Sequence, residues 1–157
     1  MVRIEALVSE TGLGVHSVSV HLLLYQSLFL SCVTFNSQAW STIKETDIEQ
    51  LEKMQLKCLK RILQLPRSTT NSFIFLEFGE MPIRYIIDRN QLSFLHHIFH
   101  LDNNDPVKLM WEVMKRLVGE KNWWHRVKGL LTKYEITLEQ VEAMNKSTYK
   151  SLVKNNR

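Results

Sequence analysis

The chain has 157 residues, 45% hydrophobic and 23% charged, with five Gly, three Pro and two Cys. That length can bury a real core in one domain, or one domain plus a small appendage. So few Gly and Pro exclude a fibrous or low-complexity chain. The net charge is +4, and it is unevenly placed: residues 1–100 hold nine Lys/Arg against nine Asp/Glu, residues 101–157 eleven against seven. A mild basic excess gives weak general affinity for polyanions and assigns no partner by itself.

Residues 1–16 read as a short mixed segment broken by Thr11-Gly12-Leu13-Gly14, a turn rather than a phosphate cradle. There is no secretory signal pattern. From Ser17 the apolar run Leu22, Leu23, Leu24, Leu28, Phe29, Leu30, Val33 and Phe35 predicts a long helix towards Trp40, with a break near Ser31. A helix apolar on nearly every side is either a membrane span or a buried centre. His21, Gln26 and the serines in it, and the lack of basic flanks, favour the buried centre. Cys32 and Cys58 fall on helical patterns and read as free buried thiols of a reducing compartment.

Thr46-Asp47-Ile48-Glu49 fits a capping box, and Ile48, Leu51, Met54, Cys58, Leu59 and Ile62 then recur at helical spacing. Glu49 and Glu52 lie early and Lys57, Lys60 and Arg61 late, both complementing the helix dipole, and Pro66 marks the stop. Thr69 or Thr70 caps a short helix, SFIFLEF, that ends at Gly79. Pro82 opens another, with Ile83, Ile86, Ile87, Phe94, Leu95, Ile98 and Phe99 as its core face. Asp105-Pro106 starts a helix carrying Val107, Met110, Trp111, Met114 and Leu117, ending at Gly119. Asn122 caps the next, striped by Trp123, Val127, Leu130 and Leu131. Thr137 with Gln140, and Ser147, start two more. Only Val15 to Val20 hints at strand-like alternation.

Little of this chemistry points to an enzyme. His96 and His100 share a helix face, the spacing of two metal ligands, but no further ligand stands at an obvious spacing. Asp47, Asp88, Asp102 and Asp105 are scattered, and no nucleophile motif or Walker loop occurs. Trp123-Trp124-His125-Arg126 could stack on bases, although tryptophans more often anchor a core. The best-supported feature is a basic flank: Lys53, Lys57, Lys60 and Arg61 share one side of the capped helix, and Arg67 follows its end. Such residues neutralise phosphates without reading bases. A solvated face with Glu49 paired to Lys53 fits the same residues equally well.

Three motifs in order carry a resemblance. Leu24-Tyr25-Gln26-Ser27-Leu28 leads to Phe35-Asn36-Ser37-Gln38-Ala39-Trp40; a charged helix follows with Leu51, Gln55, Lys57, Leu59, Lys60, Ile62 and Leu63 in register; and a corner reads Phe78-Gly79-Glu80-Met81-Pro82-Ile83. Over roughly residues 13 to 130 this resembles the region downstream of the palm in non-LTR (LINE-type) retrotransposon reverse transcriptases, with Phe78 where that family has Leu. The resemblance implies a thumb and its connector helices. In that family the thumb packs on the palm and holds the template-primer duplex by its backbone. Lys53, Lys57, Lys60 and Arg61 then become the backbone-contacting face, with Arg67 beside them, and Tyr25, Trp40 and Ile83 become framework. The family's palm, with its paired aspartates, would lie before Met1, and neither its endonuclease nor a Cys–His cluster is present.

The expectation is an all-α, irregular bundle of about eight helices. Residues 1–16 are a remnant or linker, 17–101 a thumb-like bundle, and 102–157 a truncated basic connector. Its expected role is to contact template-primer or element RNA non-specifically, without catalysis, metal or cofactor. The expected partners are RNA or an RNA/DNA duplex and a reverse transcriptase palm in cis or trans, with no membrane, in the cytoplasm or nucleus. The alternative is a helical protein-interaction module or a non-functional remnant.

Overall fold

A computed structural model describes residues 18–117 and 122–143. The fold is all-α, and the described residues contain seven helices and no strand. They are α1 (18–34), α2 (Glu45–Ile62), α3 (Asn71–Phe78), α4 (Ile83–Phe99), α5 (Pro106–Arg116), α6 (Trp123–Lys133) and α7 (Leu138–Ala143). None is long and apolar enough to cross a membrane. The helix expected from Ser147 and the Gly119 stop lie outside the described residues. The chain divides into two compact units: the described part of Met1–Phe35 with Gln50–Glu80, and Asn36–Glu49 with the described part of Met81–Arg157.

In the first unit, α1 runs as α-helix (Val18–Leu24), π-helix (Tyr25–Leu30) and α-helix again (Ser31–Thr34). The widened turn is bonded by the Ser31 N–H to the Gln26 carbonyl, which also accepts from Ser31 Oγ at 3.0 Å. The helix passes Ser31 unbroken and ends at Phe35, before Asn36 turns left-handed at φ 53°. It is not the all-round buried centre that its leucines suggest: Leu23 is 64% and Phe35 79% exposed, and within Leu22–Phe35 only Tyr25 is fully buried. Ser27 and Thr34 satisfy their hydroxyls on the carbonyls of Leu23 and Leu30 within the helix. Cys58 is buried as expected, but Cys32 is exposed.

Helix α2 starts earlier than the Thr46 cap predicts. Its first turn is closed by the Lys44 carbonyl, which accepts from Asp47 and Ile48, while the Asp47 carboxylate takes the Lys44 N–H at 3.1 Å. Asp47, not Glu49, is thus the acid that reaches back to the cap. The buried face holds Gln55, Cys58 and Leu59, whereas Met54 is 50% exposed. Tyr25, Cys58, Leu59 and Ile74 form the small core of this unit, with Leu22, Phe29, Leu56, Ile62, Leu65, Phe75 and Phe78 packed on it. Inside it, Gln55 Nε2 donates to the Tyr25 hydroxyl at 2.9 Å. Burial of Tyr25 raises its phenol pKa above the ordinary value, against the opposing effect of that bond.

In the second unit, α4 is central. Leu92, Leu95 and Ile98 meet Trp111, Trp123, Val127, Leu130, Leu131, Tyr134, Ile136 and Val141 in one core. The short 3₁₀ turn Ser37–Ala39 is tied to α4 and α6 by side chains. Gln91 Nε2 donates to the carbonyl of Trp40 at 2.8 Å, Asn90 Nδ2 to Ser37 Oγ at 2.8 Å, and Trp123 Nε1 to the Gln38 carbonyl at 2.7 Å. Asp105 and Asn122 cap α5 and α6 as predicted, and Thr137 and Gln140 exchange reciprocal bonds at the start of α7. Within α5 Trp111 is the buried residue, while Leu109, Met110, Val113 and the following Leu117 are about half exposed. The apolar residues of this helix share one broad face, opposite Lys108, Glu112, Lys115 and Arg116, and of that face Trp111 is the part fully covered.

Candidate nucleic-acid interface

The basic flank is built by the back of α2. With 3.6 residues per turn, Lys53, Lys57, Lys60 and Arg61 fall on the side opposite Gln55 and Leu59, which face the core. Burying one side of an amphipathic helix therefore turns all four cations outward together. Lys53, Lys57 and Arg61 are exposed and Lys60 half-buried.

The turn after α2 brings in the fifth cation. Gln64 adopts φ 53°, Leu65 N–H donates to the Lys60 carbonyl at 2.8 Å, and Gln64 N–H to that of Arg61 at 3.1 Å. This pair of bonds is a Schellman cap, with glutamine in the left-handed position that glycine usually takes. Pro66 then prevents any return to helix, and Thr69 N–H closes a turn on the Pro66 carbonyl. Chain reversal sets Arg67 beside the end of α2 and Asn71 at the start of α3.

The result is a cleft of about 820 Å³ lined by Lys53, Leu56, Lys57, Lys60, Arg61, Leu65, Arg67 and Asn71. All five residues singled out by sequence line this one cleft. Among the described residues that line it there is no carboxylate and no aromatic ring. The chemistry of these described residues is therefore that of a polyanion cradle with apolar side chains in its lining: charge and N–H donors for phosphate oxygens, without a ring on which a base could stack. Lys60 is tied to the cleft's own backbone, because its Nζ donates to the Arg67 carbonyl at 2.7 Å. Leu56, Leu65 and Asn71 are lining residues that sequence reasoning missed, and Asn71 is the polar one. Its only signal was its place at a helix start just after the Pro66 turn.

The other candidates resolve differently. His96 and His100 do come together, with ring centroids 4.4 Å apart and His100 Nδ1 2.9 Å from the His96 carbonyl. Yet among the described residues no group of three or more His, Cys, Asp or Glu could hold a metal. Trp123 is a core anchor, packed edge-on to Phe94 at 5.4 Å, and Trp124 packs against Trp111, so neither is presented as a stacking platform.

A buried polar cluster went unread. Asp88, 2% exposed, accepts from Lys133 Nζ at 2.7 Å and Tyr134 Oη at 2.8 Å, with Arg126 Nη2 at 3.8 Å; Arg126 Nε donates to Gln91 Oε1 at 2.8 Å. Burial first, and then the Asp88 bond and charge, push the Tyr134 phenol pKa upward. A smaller cleft beside this cluster, about 370 Å³, holds Arg84, His125, Arg126 and Lys133, but also Glu45 and Asp88. Arg84 pairs with Glu45 there. Its cations face acids of the same cleft, and it lacks the one-signed lining of the α2 cleft. Helix periodicity had placed Asp88 as one more scattered acid, because its partners lie about 40 positions on in sequence.

Comparison with family models, curated proteins and solved structures gave no match to this chain.

Proposed function

We propose that the chain is the thumb and connector portion of a non-LTR retrotransposon reverse transcriptase, and that it grips the phosphate backbone of a template-primer duplex or of structured element RNA without catalysing any step. The observation that carries this reading is the clustering of Lys53, Lys57, Lys60, Arg61 and Arg67 on one cleft whose described lining includes no acid. The ordered motifs from Leu24 to Ile83 support the family assignment by resemblance. Phosphate contacts made by flexible cations confer register and affinity but no base preference. The absence of aromatics among the described lining residues favours a duplex or folded backbone over an unstacked single strand.

A second reading has its own observation. The half-exposed Leu109, Met110, Val113 and Leu117 on and just after α5 are apolar surface of the kind that protein partners cover. A helical interaction module would use that surface and leave the cleft idle. Fluorescence anisotropy of the full chain against several RNA and hybrid duplexes of unrelated sequence separates the two. The nucleic-acid reading expects similar affinities for all of them, and a large loss in the double variant Lys57→Glu/Arg61→Glu. Unchanged binding in that variant removes the cleft from the account. A primer-extension assay with the chain alone is expected to give no product, and metal-dependent extension would refute the non-catalytic role.

A further inference from the structure

Lys60 stands apart within the cleft. Lys53, Lys57 and Arg61 on the same helix are exposed, whereas Lys60 is half-buried. The Lys60 ammonium donates to the Arg67 carbonyl at 2.7 Å, seven residues on. Its own carbonyl accepts the Leu65 N–H at 2.8 Å. The same residue thus holds the turn after α2 at two points, by backbone to Leu65 and by side chain to Arg67. Gln64, left-handed between them, is not a residue that favours this turn by itself. Pro66 removes one backbone donor from the segment. The ammonium also sits at the C-terminal end of α2, where a cation is favoured by the helix dipole.

We propose that Lys60 is the positioning residue of the cleft: it ties down the turn that presents Arg67, and Arg67 makes the phosphate contact. This rests on the nucleic-acid reading above. The cleft then has four working cations, Lys53, Lys57, Arg61 and Arg67, and a fifth that sets the place of one of them. The arrangement predicts energetic coupling between Lys60 and Arg67, and independence between Lys57 and Arg67.

The test uses the full chain, an RNA duplex of fixed length, and the slope of log affinity against log salt, which changes by about 0.9 for each phosphate the protein ceases to neutralise. Lys60→Met and Arg67→Met are each expected to lower the slope magnitude by about 0.9, and the double variant by the same about 0.9 rather than twice it. Lys57→Met with Arg67→Met is expected to lower it by about 1.8, and Lys60→Arg, which keeps a donor for the carbonyl, to behave as wild type. A fall of about 1.8 in the Lys60/Arg67 double variant would make Lys60 a direct phosphate ligand and overturn the proposal. Hydrogen exchange in the free protein gives a readout without nucleic acid. The Thr69 amide, bonded to Pro66 within the tied turn, is expected to exchange faster in Lys60→Met but not in Arg67→Met. Equal exchange in both also overturns the tie. A wild-type chain that binds no duplex, yet shows the expected exchange, refutes the nucleic-acid reading while the tie itself stands.

Discussion

Replacing Tyr25 by Phe tests how the basic helix is held on its support. Tyr25 is 1% and Gln55 0% exposed, and their side chains meet at 2.9 Å inside a mainly apolar core. Removing one hydroxyl takes away no packing volume of consequence, but it strips the Gln55 amide of a partner that water cannot replace. Removing a buried partner in this way costs about 1–3 kcal/mol, more than the roughly 1 kcal/mol net value of an ordinary hydrogen bond. We expect Tyr25→Phe to destabilise the chain by about 1–2 kcal/mol, measured by urea unfolding of the full chain. The double variant Tyr25→Phe/Gln55→Leu removes both polar groups and should cost less than the sum of its singles, with a coupling of about 0.5–1.5 kcal/mol. A Tyr25→Phe chain about as stable as wild type, with strictly additive singles, would refute the argument that this bond registers α2 on α1.

In the second unit, Asp88→Asn should destabilise by about 2–3 kcal/mol in the same assay, because it removes a buried charge bonded to Lys133 and Tyr134. The partial exposure of Lys133, 43%, keeps the loss below that of a fully buried pair. Tyr25 and Tyr134 have folded pKa values raised above those of the unfolded chain. Their contribution is therefore full below the unfolded value near pH 10, and falls as pH rises through it by roughly 1.4 kcal/mol per pH unit for each tyrosine. Alkaline urea titrations should show that fall, and Tyr134→Phe should flatten it; an unchanged slope in this variant would exclude Tyr134 as a source. Gln64→Gly relieves a left-handed glutamine and should raise stability by about 0.5–1 kcal/mol, whereas Gln64→Val should lower it. A neutral result for both would deny that the turn is strained.

Much of the local architecture was legible because it follows from short-range chemistry. Asp105 with Pro106, Asn122, the Thr137–Gln140 box and Gly79 each start or stop a helix where the sequence places it. The basic flank was legible for the same reason: four cations opposite one buried stripe require only a helical period. Burial was less legible. An apolar residue is no proof of burial, as the exposed Leu23 and Leu109 illustrate, and composition cannot say which face a neighbour will cover. The capping acid of α2 was misassigned because Asp47 and Glu49 both satisfy a capping pattern two residues apart, and only the bond to Lys44 distinguishes them. Pairings between distant segments, Tyr25 with Gln55 or Asp88 with Lys133 and Tyr134, leave no periodic trace at all. The Lys60 tie to Arg67 was hidden for a different reason: a lysine in a basic stripe looks like every other lysine until its ammonium is found on a carbonyl.

The central claim, that the α2 cleft holds a phosphate backbone, is tested most directly by the salt dependence of duplex binding by the wild-type full chain. Four working cations predict a log–log slope of about −3 to −4, lowered to about −1 when Lys53, Lys57 and Arg61 are all changed to Met. A wild-type slope near zero, or the same slope in the triple variant, would contradict it.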